Sequence, residues 1–317
     1  MPAPHVLIGF DGSDAAVRAI ETVARLIPGA RVTVVVVRES WLPLERSAAA
    51  RLALPDTVIA PATEALDQEL EHAARELVEA AVARAAAVGL DAEPVVEVAG
   101  APWRGLDAAA RRHGALAIAC GASGRGGLAR SVLGTTADAL VHHVASPVLV
   151  VPDGDVPADG PLLIGYDRSE AARAAIEAAA ALFPDRHALV AHAWSSPIRR
   201  SYAGERLLAS PVDDVQQLAR SLDDVYAADA EEAAEEGAAF AREHRLDASP
   251  LVVESRRGGW RALDDAAAEA GAAAIVVGSR GRGTLAATVL GSVSSGLVHN
   301  ARLPVLVARE AAAQPPA

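Results

Sequence analysis

The chain has 317 residues, of which 51% are apolar, with a formal net charge of −12 and an isoelectric point near 5.2. A chain of this length can bury the cores of two domains. Its acidic charge argues against nucleic acid or an anionic membrane as a partner, because like charges repel at long range. No apolar stretch reaches the roughly 20 residues of a membrane span and the first residues lack a signal-peptide pattern, so a cytoplasmic location is expected.

Two residue types that often carry chemistry are scarce. The sequence contains no lysine, which excludes a Walker A lysine and a Schiff-base lysine. Its one cysteine, Cys120, lies in the apolar run "ALAIACG" and is expected to be a buried core residue. A bound phosphate must then be held by backbone N–H groups, hydroxyl groups, arginine or a metal ion.

In the first half of the chain, short β-branched apolar runs alternate with alanine-rich amphipathic stretches, a pattern typical of a parallel sheet covered by helices. The predicted strands lie near 5–10, 31–38, 94–99, 115–120 and 147–151, and the predicted helices near 14–27, 62–89, 103–113 and 134–144. The stretch 39–61, rich in Pro, Ser and Arg, is predicted to be a long loop.

The second half repeats the first at a shift of 156 or 157 residues, which aligns "VLIGFDGSDAAVRAI" with "LLIGYDRSEAARAAI" and "SPVLVV" with "LPVLVA". Its predicted strands lie near 162–166, 187–194, 250–254, 273–277 and 304–308, with a helix over 212–246 and a loop over 195–211. We therefore expect a domain over 1–152, a linker over 153–160, a second domain over 161–310 and a flexible tail over 311–317.

Each half is predicted to be an α/β domain with a Rossmann-like, open, parallel five-stranded sheet in the order 3-2-1-4-5 and helices on both faces. The last strand of each half, 147–151 or 304–308, is apolar and would promote aggregation if its edge were left uncovered. We expect these two strands to pair and to form an internal pseudo-dimer.

A glycine motif follows the fourth predicted strand of each half and opens the fourth helix. It reads "GASGRGGLARSVLGT" at 121–135 and "GSRGRGTLAATVLGS" at 278–292. A helix start offers unpaired N–H groups and a partial positive charge to an anion, and glycines let the backbone approach a ligand closely. In the alternative interpretation, Thr135 and Ser292 simply act as N-caps and no ligand is bound.

An aspartate stands at the carboxyl end of the first strand in each half, Asp11 in "GFDGS" and Asp167 in "GYDRS". Either residue could be a helix N-cap, since Asp followed by Ser is a common helix start. In open α/β sheets, however, ligands sit outside the carboxyl ends of the strands where the strand order reverses. If strands one and four are neighbours, the aspartate and the glycine loop face each other, and a ligand with an adenosine and a phosphate end fits both.

Each half resembles a universal stress protein domain, and the whole chain resembles a tandem member of that family. The family's nucleotide pattern is GxxG, nine residues, then Gly and Ser or Thr; it matches at Gly121, Gly124, Gly134 and Thr135, and at Gly278, Gly281, Gly291 and Ser292. The resemblance implies ATP as ligand, with Mg²⁺ on its phosphates. It also implies that Asp11 and Asp167 contact the adenosine end and that the backbone of Val37 and Ala193, late in the second strands, contacts adenine.

Further candidates lie beside these matched positions. Thr136, Val293 and Ser294 belong to the first helical turns, and Arg125, Arg280 and Arg282 lie within the loops, where a solvated role is equally compatible with the sequence. A hydroxyl at Ser294 has only Ala137 opposite it in the first half, which predicts tighter ATP binding in the second. Trp103 and Trp260 are expected to pack, and the histidines lack the grouping of metal ligands.

Three functions are compatible with the sequence. The first is a cytoplasmic stress-response or signalling protein, not an enzyme, in which ATP occupancy sets conformation or partner choice. The second is a slow ATPase or an adenylyl-transfer enzyme, although the chain has no GxSxG motif or paired carboxylates beside the glycines. The third is a dimerisation scaffold with empty pockets, and a homodimer is compatible with each of them.

Overall fold

A computed structural model describes residues 3–39, 56–124, 133–154, 157, 159–196, 206–255, 257–281 and 290–310. The chain divides into two compact units, Met1–Leu140 and Val141–Ala317. None of the helices in these described ranges is long and apolar enough to span a membrane.

The N-terminal unit alternates strands and helices. Its elements are β1 (His5–Gly9), α1 (Asp14–Leu26), β2 (Arg31–Glu39), α2 (Asp56–Ala87), β3 (Asp91–Ala99), α3 (Pro102–His113), β4 (Ala117–Gly121) and the start of α4 (Thr135–His143). The strands pair in parallel in the order β3-β2-β1-β4. The central strand β1 is inaccessible to water at Leu7 and Ile8, as a strand covered on both faces must be.

The C-terminal unit repeats this plan and adds two strands, over 148–151 and 305–308. Its elements are β5 (Val148–Val151), β6 (Leu162–Gly165), α5 (Glu170–Leu182), β7 (Ala188–Trp194), α6 (Asp213–Glu243), β8 (Ala248–Glu254), α7 (Gly259–Glu269), β9 (Ala274–Gly278), α8 (Ser292–Asn300) and β10 (Val305–Ala308). The order is β5-β10-β9-β6-β7-β8, with parallel pairs except for the antiparallel ladder of β5 with β10.

Helices cover both faces of the C-terminal sheet, because successive residues of a strand point to opposite sides. A methyl group on Gly165 would lie 3.1 Å from Leu263 of α7, whereas a methyl group on Gly237 of α6 would lie 2.6 Å from the ring of Tyr166, the residue that follows Gly165. These close contacts fix α6 and α7 on opposite faces and confirm the predicted α/β architecture.

The start of α2 differs from the sequence-based expectation. The helix predicted over 62–89 begins at Asp56, so the predicted loop 39–61 is shorter than expected, and residues 40–55 lie outside the described part. The two compact units meet at residue 140, and 148–151 forms its ladder with 305–308; the expected domain bounds stay a prediction. Residues 197–205, most of the loop predicted over 195–211, also lie outside the described residues.

Candidate functional site

In the N-terminal unit, Asp11 follows β1 and lies against the glycine loop. Its Oδ1 accepts hydrogen bonds from the Ser13 backbone N–H (3.0 Å) and hydroxyl (2.6 Å). A methyl group placed on Gly124 would lie 3.2 Å from Asp11 Oδ2. The structure thus brings together the carboxylate and the second glycine of the motif, two features 113 positions apart in the sequence.

The C-terminal unit repeats this contact with a shorter separation. Asp167 Oδ1 accepts a hydrogen bond from the Ser169 backbone N–H at 3.1 Å, and a methyl group on Gly281 would lie 2.6 Å from Asp167 Oδ2. Real Cβ atoms do not approach so closely, so the position requires glycine unless the carboxylate moves.

The alternative role of these aspartates as N-caps is wrong. The caps are Ser13 and Ser169, whose side chains accept hydrogen bonds from the Ala16 and Ala172 backbone N–H groups, each at 3.2 Å. Each aspartate instead orients its neighbouring serine with Oδ1 and turns Oδ2 toward the glycine loop.

A hydrogen bond closes each glycine loop. The Gly134 N–H donates to the Ala122 carbonyl at 2.7 Å, and the Gly291 N–H donates to the Ser279 carbonyl at 2.8 Å. A methyl group on Gly291 would lie 3.5 Å from the backbone nitrogen of Gly281, so the third glycine packs on the second. The two ends of each loop therefore lie close together beside the aspartate.

The helices that follow the loops begin with N–H groups that have no acceptor within the helix. The first intrahelical bonds run from Asp138 N–H to the Gly134 carbonyl and from Ser295 N–H to the Gly291 carbonyl, each at 2.9 Å. The earlier N–H groups have no acceptor within the helix; they belong to Thr135, Thr136, Ser292 and Val293, among others. The N-cap of α8 is Gly291, without a side-chain cap bond, so Ser292 is not the cap that the alternative interpretation required.

The first glycine of each motif has a packing role. A methyl group on Gly121 would lie 2.6 Å from Ala15 Cβ, and one on Gly278 would lie 2.4 Å from the backbone carbonyl carbon of Ala171. These glycines let α1 and α5 pack directly on the ends of β4 and β9. These glycines therefore act through helix packing. That packing positions the aspartates, which precede the same two helices.

Val37 and Ala193 lie within the second strands, just beyond the part of each that pairs with the first strand. The Phe10 N–H donates to the Val35 carbonyl and the Tyr166 N–H to the Ala191 carbonyl, each at 2.9 Å. Because backbone groups of a strand alternate in direction with period 2, residues two positions further turn theirs toward the same side, next to the aspartates. The adenine contacts that the family resemblance implies for these two residues stay a prediction.

The Ser294 hydroxyl is bonded within the protein. The side chain is buried, and the hydroxyl donates to the Gly278 carbonyl at 2.6 Å. A hydroxyl has one proton, so this group has none left for a phosphate oxygen. The hydroxyl instead ties α8 to the end of β9, so it does not support the predicted tighter binding of ATP in the second half.

The described part of the loops contains one of the three candidate arginines. Arg280 lies 3.6 Å from Glu310, and both its Nε and the neighbouring Ser279 Oγ are buried without a hydrogen-bond partner among the described residues. Arg125 and Arg282 lie outside the described residues.

A polar cluster beside Asp167 was missed from the sequence. Arg168 adopts a left-handed backbone with φ of 65° and donates to Glu236 (2.9 Å) and Asp229 (2.8 Å) of α6. The Tyr166 hydroxyl donates to Glu236 at 2.8 Å, which lowers the pKa of that carboxyl, while burial raises the pKa of Tyr166 to about 12. The sequence feature that could have indicated this cluster is Arg168 in "GYDRS", which stands where the first half has Gly12 in "GFDGS".

The other residues singled out in the sequence have roles in packing. Trp260 packs on α8, since a methyl group on Gly296 would lie 2.3 Å from its indole ring. Cys120 is buried, which raises the pKa of its thiol to about 12. Among the described residues, no group of three or more His, Cys, Asp and Glu side chains could hold a metal ion.

The sequence matches the model of the universal stress protein family twice, over residues 3–152 and 160–309. A universal stress protein of Mycobacterium tuberculosis H37Rv is 33% identical over 201 residues, 61% of this chain and 61% of that protein. Another from the same strain is 33% identical over 208 residues, 61% of this chain and 58% of that protein. The chain thus matches about three fifths of the length of these curated relatives.

Solved structures share the fold. A universal stress protein from Archaeoglobus fulgidus superposes with a TM-score of 0.63 at 18% identity, covering 98% of this chain and all of the other. A putative universal stress protein from Pseudomonas aeruginosa gives 0.54 at 14% identity, covering 98% and 94%. A universal stress protein solved in complex with cAMP matches 48% of this chain and 98% of its own, at 21% identity with a TM-score of 0.32.

The fold and the repeated site define a tandem α/β protein of the universal stress class. Since the family model covers nearly the whole length in two consecutive matches, the chain belongs to the universal stress protein family.

Proposed function

We propose that this chain is a cytoplasmic stress-response or signalling protein that binds ATP and whose nucleotide occupancy sets conformation or partner binding. One observation carries the proposal. In both units the carboxylate after the first strand faces the second glycine of the loop that opens the fourth helix. A nucleoside hydroxyl can donate to that carboxylate while phosphates accept from the N–H groups of the helix start.

The residues present fit such a ligand. Oδ1 of Asp167 is already an acceptor for Ser169, which leaves Oδ2 for a ribose hydroxyl, and the glycine at 281 keeps the space beside it clear of a side chain. The backbone of Ala193 would receive adenine, and the N–H groups of Ser292 and Val293 the phosphates. Asp11, Val37, Thr135 and Thr136 take the same parts in the first unit.

Magnesium, where it accompanies ATP, would be held by the phosphates themselves, as the composition of the loops contains no carboxylate. An ion on the phosphates would supply charge neutralisation. The absence of lysine leaves this task to N–H groups, the metal ion and loop arginines such as Arg280.

The test is calorimetric titration of ATP into the full-length protein and its aspartate variants. Asp11→Ala and Asp167→Ala should each weaken one site about tenfold or more, because a hydrogen bond to a charged group contributes roughly 1.5–3 kcal/mol and 1.4 kcal/mol is tenfold in affinity. Asp14→Ala and Glu170→Ala are matched controls, since they remove a carboxylate from the first turn of the same helices. Their affinities should be unchanged.

Three outcomes would contradict the proposal. The first is equal binding of ATP by the double aspartate variant, and the second is equal or tighter binding of NAD or cAMP. The third is release of no nucleotide from purified, heat-denatured protein in mass spectrometry together with no titratable ATP binding, which favours a scaffold. Turnover of ATP well above one per minute would favour an enzyme instead.

A further inference from the structure

The first half of α6 carries an apolar face that no described residue covers. Leu218, Leu222, Val225 and Tyr226 are 62%, 44%, 64% and 46% exposed. Their spacing of four, three and one residues places them on one side of the helix. The buried residues of the same segment, such as Ala219 and Ala230, form another side that packs in the unit. We call the four exposed side chains the α6 stripe.

The complete stripe is present in the second half of the chain, and the first half repeats only part of it. Buried alanines align α6 with α2 at a shift of 156 residues, Ala230 with Ala74 and Ala241 with Ala85. At that shift Leu222 and Tyr226 correspond to Leu66 and Leu70, whereas Val225 corresponds to Glu69 and Leu218 to Ala62. Contiguous exposed apolar side chains on a soluble protein commonly mark an interaction site.

Charge around the stripe indicates what covers it. Between residues 213 and 232 the sequence has one basic residue, Arg220, and seven acidic ones: Asp213, Asp214, Asp223, Asp224, Asp229, Glu231 and Glu232. Asp214 and Asp224 are exposed, one turn before Leu218 and directly before Val225. A second copy of this chain would place acidic helix against acidic helix, which is unfavourable, whereas a basic partner would be attracted.

We propose that the α6 stripe is a docking site for a basic amphipathic helix of a partner protein. The partner lays leucine-like side chains along the stripe and places Lys or Arg beside the exposed carboxylates, the usual arrangement of helix recognition through an apolar face. The proposal goes beyond nucleotide binding and does not depend on it.

The same helix touches the candidate nucleotide site further along. Asp229 and Glu236 of α6 hold Arg168, the residue after Asp167. A partner bound at the stripe therefore sits on the helix that holds the residue next to this aspartate.

The experiment uses the full-length protein and a fluorescein-labelled synthetic peptide of about 18 residues with leucines at helical a and d positions and lysine or arginine elsewhere. Fluorescence anisotropy should give a micromolar Kd that rises with salt. Leu222→Glu and the neutral Leu222→Ser should weaken binding at least tenfold. Leu66→Glu, the corresponding position of α2, should leave the affinity unchanged, and circular dichroism should show all three variants folded.

Leu222→Glu adds negative charge, so a merely nonspecific attraction of the basic peptide would tighten with this variant. Equal or tighter binding to Leu222→Glu than to Leu66→Glu would therefore overturn the proposal. Equal binding of a peptide with glutamate in place of every lysine and arginine would overturn the assigned charge of the partner. Dimerisation lost in Leu222→Ser, with no peptide binding by the parent protein, would assign the stripe to a second copy.

Discussion

At the scale of single residues, the two candidate sites differ in the residue after the aspartate. Gly12 has φ of 82° and Arg168 has φ of 65°, so both backbones are left-handed. Arg168→Ala should remove the ion pairs to α6 and keep the strained backbone, whereas Arg168→Gly should remove both. Because this conformation costs a non-glycine residue about 1 kcal/mol, the glycine variant should be the more stable of the two by about that amount in urea unfolding.

Arg173 provides the control for this comparison. It also donates to Glu236, at 3.2 Å, but lies within α5. In a helix interior glycine is about 1 kcal/mol less favourable than alanine, so Arg173→Gly should be less stable than Arg173→Ala. The same order of alanine and glycine at both positions would contradict the left-handed assignment of Arg168.

Ser294 makes a separate prediction about stability. Ser294→Ala leaves the buried Gly278 carbonyl without its hydroxyl donor, and a hydrogen bond of this kind contributes about 1 kcal/mol. Thermal or urea unfolding should show that loss, while ATP affinity stays within twofold because the hydroxyl makes no phosphate contact. Ser295→Ala is the matched control and should change neither quantity. A tenfold fall in ATP affinity with unchanged stability would restore the phosphate role.

At the scale of elements, the first residues of β1, β2 and β3 share a polar cluster. Thr33 donates its hydroxyl proton to Glu93 (2.7 Å), so it accepts from His5 Nε2 (2.8 Å), and His5 Nδ1 accepts from Arg31 (3.0 Å). Burial and then the Arg31 charge lower the pKa of His5, with Glu93 opposing and His113 nearby. The folded protein therefore favours neutral His5.

Protonation of His5 makes the stability of the protein depend on pH. Below about pH 6.5 the unfolded chain protonates His5 while the folded protein does not, so the unfolded state binds more protons and stability falls as pH falls. The free energy of unfolding should decline from pH 7 to pH 5, and His5→Gln should make that decline shallower. His299→Gln, on the exposed end of α8, should leave the slope as it is. Parallel slopes for the parent and the His5 variant would exclude His5 as the cause.

The elements themselves were largely readable from the sequence. Alternating β-branched and alanine-rich runs located the strands and helices, because burial on both faces of a parallel sheet demands continuous apolar strands. The start of α2 at Asp56 was not predicted, because it lies in the stretch 39–61, whose Pro and Ser content is typical of a loop. The roles of Ser294 and Arg168 were also missed, because hydrogen-bond partners such as Gly278 and Glu236 are set by packing between distant segments and leave no local pattern.

At the scale of the whole molecule, the repeat made the facing of aspartate and glycine predictable. Both halves carry a "GxD" pattern and the glycine motif at the same spacing, which indicated that the two features are arranged alike in each. The structure places Asp11 by Gly124 and Asp167 by Gly281. The position of the boundary between the compact units was less predictable, because it depends on which strand the 148–151 segment joins.

That antiparallel ladder has a consequence for how the chain folds. Val150 pairs with Val305, 155 positions later, whereas Val305 and Ile275 of the adjoining ladder are 30 positions apart. Closing the longer loop costs about 1.5 kcal/mol more in chain entropy. This ladder should therefore form late, and until then the apolar edges of 148–151 and 305–308 are unpaired. During that interval, strand 305–308 of one molecule competes with that of another for the same 148–151 edge. Refolding at high protein concentration should therefore yield strand-swapped dimers, and dilute refolding should yield closed monomers.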